Sequence, residues 1–166
     1  MTASVTAAEI IFFTSFRFKM IQGSNLDSKA KYDSAIEVYK EALDKRKDSV
    51  EARVALGKDY IITEQYDKAE EILKRLLDSG RLNNKMRLQA MGDYAYLMAV
   101  KSEPDYSVAS AYYEMVATEE GGKYMSVQDY WMWAYVFSEM NDFDRSNEFV
   151  YSLKQVDSSV VADYFM

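Results

Sequence analysis

One stretch of this chain returns in near copy 34 residues further on. Lys31-Tyr32-Asp33-Ser34-Ala35-Ile36-Glu37-Val38-Tyr39 is answered by Gln65-Tyr66-Asp67-Lys68-Ala69-Glu70-Glu71-Ile72-Leu73. The same interval joins Gly23 to Gly57, Ala42 to Leu76 and Leu43 to Leu77. Two looser copies follow: Asp105-Tyr106-Ser107-Val108-Ala109 leads to Tyr113 and Val116, and Asp142-Phe143-Asp144-Arg145-Ser146 leads to Val150 and Leu153. Apolar residues inside each copy recur at helical spacing, so one copy has room for two helices and a turn. A lone helix pair cannot bury its apolar stripe, whereas stacked pairs make a continuous core. With one proline and six glycines, the chain also lacks the frequent turn residues that sandwiches and barrels need.

These residues resemble the tetratricopeptide repeat, over roughly residues 16–157. The resemblance implies an all-α fold: an α-solenoid of stacked antiparallel helix pairs, A and B, coiling into a right-handed superhelix. It implies a single repeat domain over 1–166, with units at about 16–49, 50–83, 85–122 and 127–160, and with 161–166 starting a further or capping helix. Helix A supplies Leu56-Gly57 and Tyr60 in the second unit, Leu88, Met91-Gly92 and Ala95 in the third, and Tyr130, Trp133-Ala134 and Phe137 in the fourth. Gly57, Gly92 and Ala134 are expected where helices A and B cross closely, met from helix B by the small residues Ala35, Ala69, Ala109 and Ser146. Tyr32, Tyr66, Tyr106 and Phe143 are expected to open helix B and pack between neighbouring pairs.

The sequence departs from the family pattern in places. The proline usual after helix B is missing, and Asp78-Ser79-Gly80 is expected to end the second unit's helix B instead. The third unit carries extra residues, Lys101 to Asp105, with Pro104 placed to begin its helix B. In the first unit Lys19 and Gln22 stand where apolar residues belong.

In such a stack the A helices line a concave groove. The second unit would offer it Lys58, Ile61 and Ile62, beside Glu51, Val54 and Ala55. The third would offer Gln89, Asp93, Tyr96 and Leu97, after Met86. The fourth would offer Gln128, Trp131, Met132 and Tyr135, followed by Glu139. Trp and Tyr bring large, stiff contact area at small entropic cost, and methionine adapts to varied ligand side chains. The expected function is therefore a protein–protein interaction module that takes a peptide or helical segment of a partner in an apolar, aromatic groove. The alternative is a structural slice or self-associating subunit of a larger helical assembly, using apolar ends. Some family members clamp the C-terminal carboxylate of chaperones, but Met20, Ser24, Ala55, Met86 and Ala90 occupy the clamp positions, so that clamp is absent.

Both ends are apolar. Val160, Val161, Tyr164 and Phe165 close the sequence, where an array would place a polar cap. The stop favours a piece of a longer array over an end that docks on a partner or a second copy. Ile10, Ile11, Phe12, Phe13, Phe16 and Phe18 load the other end, read as an extended first helix ahead of a sticky, dimerising one. That run is too short to span a bilayer, and it has neither a basic leader nor a clean apolar core. No targeting segment is expected, which places the protein in the cytoplasm before the periplasm.

Charge and residue types narrow the chemistry. A net charge of −7, from 20 basic and 27 acidic residues, argues against nucleic acid or anionic lipid as partner, since both need a basic face. With no cysteine or histidine, thiolate, zinc-finger and imidazole chemistry are excluded. The carboxylates Asp67, Glu70 and Glu71, Glu119 and Glu120, and Asp142 and Asp144 read as solvated helix starts rather than acid–base pairs or cation sites. Gly121-Gly122-Lys123 lacks the rest of a phosphate loop and reads as an inter-unit turn. No enzyme, cofactor or metal is expected.

Overall fold

A computed structural model describes residues 7–156, with side chains from Thr14 to Tyr151 except at 120 and 121. The apolar residues Val160, Val161, Tyr164 and Phe165 lie outside the described residues, as do the side chains of Ile10 to Phe13. Among the described residues the regular structure is helical: α1 (Ala7–Asp27), α2 (Tyr32–Lys45), α3 (Val50–Ile62), α4 (Tyr66–Asp78), α5 (Asn84–Val100), α6 (Tyr106–Thr118), α7 (Val127–Glu139) and α8 (Phe143–Val156), with a 3-10 turn at Glu119–Gly122. They fall into two compact units, one ending at Arg81 and the other beginning at Leu82.

In the first unit α1 packs on α2, α2 on α3 and α3 on α4. Phe16, Ala42 and Ala52 are buried together, with Met20 and Leu43 against them. Gly57 fits the expected close crossing, because a Cβ there would stand 3.2 Å from Leu73 Cδ2 on α4. Gly23 on α1 lies flat against the ring of Tyr39, where any Cβ would collide. Lys19, at a position that should be apolar, is half-buried and keeps its charge paired with Glu41 at 2.5 Å. Helix α1 starts at Ala7, well before the expected unit boundary near residue 16.

In the second unit α5 packs on α6, α6 on α7, and α7 on both α8 and α5. Its core is aromatic. The Trp133 ring lies 4.0 Å from Phe149, 5.7 Å from Phe137 and 6.2 Å from Tyr113, centroid to centroid. Gly92, expected at a close crossing of α5 with its B helix, does not mark one: the nearest atom to a Cβ there would be Asp129 Oδ1 on α7, at an ordinary 3.6 Å.

The ends of the helices follow local chemistry. Ser49, Asn83, Asp105 and Ser126 each accept a backbone N–H of the first turn, and at Ser126 the Asp129 carboxylate reciprocates. Each B helix begins on its expected aromatic, at Tyr32, Tyr66, Tyr106 and Phe143. Phe143, however, is 57% exposed, so it does not pack between pairs. Pro104 does not begin α6 either; Asp105 caps the helix and Tyr106 is its first residue. Three A-to-B turns share one device. Ala30, Glu64 and Asn141 take positive φ, and the next residue donates its N–H to Leu26, Tyr60 or Phe137 respectively. Gly80, with φ of +62°, follows the end of α4 as expected.

Candidate partner-binding surfaces

The helix face that a repeat turns away from its core is set by the 3.6-residue period. On α3, Glu51, Lys58 and Ile62 follow that period and are exposed, with Val54 and Ala55 half-exposed between them. Ile61 does not belong with them. It stands about 100° round the helix from Ile62 and is 7% exposed, so it serves the core. On α5, Gln89 is exposed and Asp93 and Tyr96 are half-buried along one stripe, whereas Leu97 is 0% exposed. Leu97 is thus a core residue, displaced from the expected surface by the same one-residue step.

On α7, Gln128 and Tyr135 are exposed, and Trp131 and Met132 are half-buried. Trp131 packs on the cluster formed by Ala134 and Val150, together with Val127, Tyr130 and Phe149. Its ring therefore has a structural duty as well as an open side. Tyr135 stands edge-on to Tyr106 at 6.1 Å, and their hydroxyls meet at 3.4 Å. That contact pushes the Tyr106 phenol up to about 12.

The first unit contains a groove of about 500 Å³ that the repeat pattern did not single out. Phe16, Met20 and Ile21 give it an apolar lining, and Arg17, Arg46 and Glu51 bring charge to it, beside Ser24 and Asn25. The α1 residues recur at helical spacing, so one face of α1 forms a wall. Arg46, just after α2, stacks its guanidinium 5.0 Å over the Phe16 ring. Ile21 is 59% exposed and Phe18 65%, so α1 carries apolar surface that its own unit leaves uncovered. Met20 and Ser24, read from the sequence only as failures of a carboxylate clamp, both line this groove. An isolated arginine after helix B, at a turn between units, carried no signal in the repeat alignment.

The acidic pairs are tied up in local structure. Glu70 pairs with Lys74 at 2.5 Å and Glu71 with Arg75 at 2.8 Å. Glu119 pairs with Arg87, which holds the guanidinium proton more tightly, and Arg145 keeps Asp142 below the usual carboxylate range. Among the described residues no group of three or more acidic side chains is placed to hold a metal ion. Nor is any described helix long and apolar enough to cross a membrane. Gly122, with φ of +73°, belongs to the turn between α6 and α7, which accounts for Gly121-Gly122-Lys123.

Comparison with known proteins agrees with this architecture. The sequence profile of the tetratricopeptide repeat matches residues 28–92. No curated protein matches the sequence. Among solved structures, MamA AMB-1 superposes with a TM-score of 0.61 at 14% identity, over 82% of this chain and 75% of that one. A second crystal form of MamA AMB-1 gives 0.57 at 15% identity, over 82% of this chain and 70% of that one. At such identities the likeness is one of fold.

Proposed function

We propose that this chain, which belongs to the tetratricopeptide repeat family, holds an extended or helical segment of a partner protein against the A-helix faces of its units. Members of this family are in general interaction scaffolds. The observation that carries the finer reading is the groove in the first unit, where apolar surface of Phe16, Met20 and Ile21 adjoins the guanidiniums of Arg17 and Arg46. An apolar floor gives an anchor side chain somewhere to be buried, and charge at its edge sets the orientation of the segment. The stripe of Gln128, Trp131, Met132 and Tyr135 on α7 is a second candidate contact face, supported by its aromatic content. The partner is a protein and not nucleic acid, given the net charge of −7, and the place of action is the cytoplasm.

Self-association is the competing reading, favoured by the exposed Phe18 and Ile21 on α1. Light scattering across a range of concentrations separates the two, since a steady monomer rules out self-association. Titration of a captured partner segment against Ile21→Glu and Arg46→Glu then tests the groove. Each should weaken binding by about tenfold or more with helicity unchanged. Undiminished binding by both variants would end the groove reading.

A further inference from the structure

Asp59 on α3 is 3% exposed, and no sequence feature of the repeat calls for an acid there. Around it lie Tyr39 of α2, itself buried, and Asp27, the last residue of α1. The Tyr39 hydroxyl donates to Asp27 Oδ2 at 2.5 Å. That leaves Asp27 Oδ1 and Asp59 Oδ2, both buried and neither met by a donor of the chain. Two ionised carboxylates cannot share a site closed to water without strong repulsion, and a buried acceptor left unmet is costly. One proton placed between the two oxygens removes both penalties.

We propose that Asp27 and Asp59 hold a single proton between them, fastening the C-terminal end of α1 to α3, and that losing this proton loosens the helix packing of the first unit. The groups facing the pair support it. Burial acts first to raise Asp59, to about 7, and the neighbouring Asp27 carboxylate adds to the rise. Lys58, on α3 itself, pulls the other way and is the smallest of these influences. Burial and the Asp27 carboxylate raise the Tyr39 phenol far above its ordinary range, so the tyrosine stays a donor throughout.

The direction of the effect follows. An unfolded Asp59 releases its proton near 3.8, whereas the folded one keeps it to about 7. Between those values the native state binds more protons than the unfolded state, so stability falls as pH rises and levels off above the upper value. The pair is thus a fastening that is shut in mild acid and open in mild base.

Urea unfolding of the wild type and of Asp59→Asn, from about pH 5 to about pH 8.5, tests this. The wild-type midpoint should fall across that range. The variant keeps a donor for Asp27 without a titrating group, so it should lose this fall and exceed the wild type at the basic end. Parallel profiles, or a variant weaker than wild type at the basic end, would overturn the proposal. Carboxyl-carbon NMR on the unmodified protein needs no variant: Asp59 should titrate near neutrality, and Asp27→Asn should bring that titration down. An Asp59 resonance that titrates in the ordinary carboxylate range, or one indifferent to Asp27→Asn, would equally overturn it.

Discussion

Ser146 on α8 donates its hydroxyl hydrogen to the backbone carbonyl of Ala134 on α7, at 2.9 Å, where the two helices of the last pair cross. Both residues are small and buried, as the repeat pattern requires, and the hydrogen bond adds a polar tie to a contact otherwise made by close approach. Ser146→Ala should remove the tie and leave the packing, costing about 1 kcal/mol. Ser146→Leu should force the helices apart and cost about 2 kcal/mol or more. Urea unfolding gives both values, and equal costs would show that the hydrogen bond, not the spacing, matters here.

Three helical glycines that look alike in the sequence should respond differently to alanine. At Gly92 the new methyl meets only Asp129 Oδ1 at 3.6 Å, so Gly92→Ala should stabilise by about 0.5–1 kcal/mol through helix propensity. At Gly57 contact with Leu73 Cδ2 at 3.2 Å absorbs part of that gain, leaving a change near zero. At Gly23 the methyl runs into the Tyr39 ring, and Gly23→Ala should cost about 2 kcal/mol. Ranked melting temperatures check the order, and a destabilised Gly92→Ala would contradict it.

What could be read from the sequence, and what could not, has a physical pattern. The B helices start on Tyr32, Tyr66, Tyr106 and Phe143 because aromatic and small positions there recur at a fixed interval. The A helices are harder. Residues of α5 from Leu88 to Ala99 are buried on several sides, so no single apolar stripe marks the core face. Leu97 on α5 therefore stands one step inside the boundary that the repeat register implies, and Ile61 does the same on α3, where the buried Tyr60 and Ile61 directly precede the exposed Ile62. The Asp27–Asp59 meeting is invisible to a repeat alignment, since it joins two helices through the fold and neither residue belongs to the pattern. The groove of the first unit leaves no mark in the repeat pattern, because its helix A matches the family weakly and a weak match gives no register.

Glu64 occupies a left-handed backbone position, φ 57°, that glycine fills more comfortably. The neighbouring N–H of Gln65 closes the turn onto Tyr60 O at 2.8 Å, so the conformation is held by the hydrogen bond and not by the side chain. Glu64→Gly should relieve the strain and stabilise by up to about 1 kcal/mol. Asn141 holds the matching place in the last pair, and asparagine tolerates this region, so Asn141→Gly should gain much less. Equilibrium unfolding of the two variants side by side checks the contrast.

The α7 aromatics separate binding from folding. Trp131 packs on Ala134 and Val150, so Trp131→Ala removes core contacts whether or not a partner uses the ring. It should cost about 2 kcal/mol of stability, and any loss of binding would then have two explanations. Tyr135 is 44% exposed, with Tyr106 as its aromatic neighbour, and Tyr135→Ala should cost under about 0.5 kcal/mol. If this face meets a partner, Tyr135→Ala should weaken capture by about tenfold while the melting curve stays in place. A Tyr135→Ala protein that binds as the wild type does would remove α7 from the contact surface and leave the α1 groove to account for any capture.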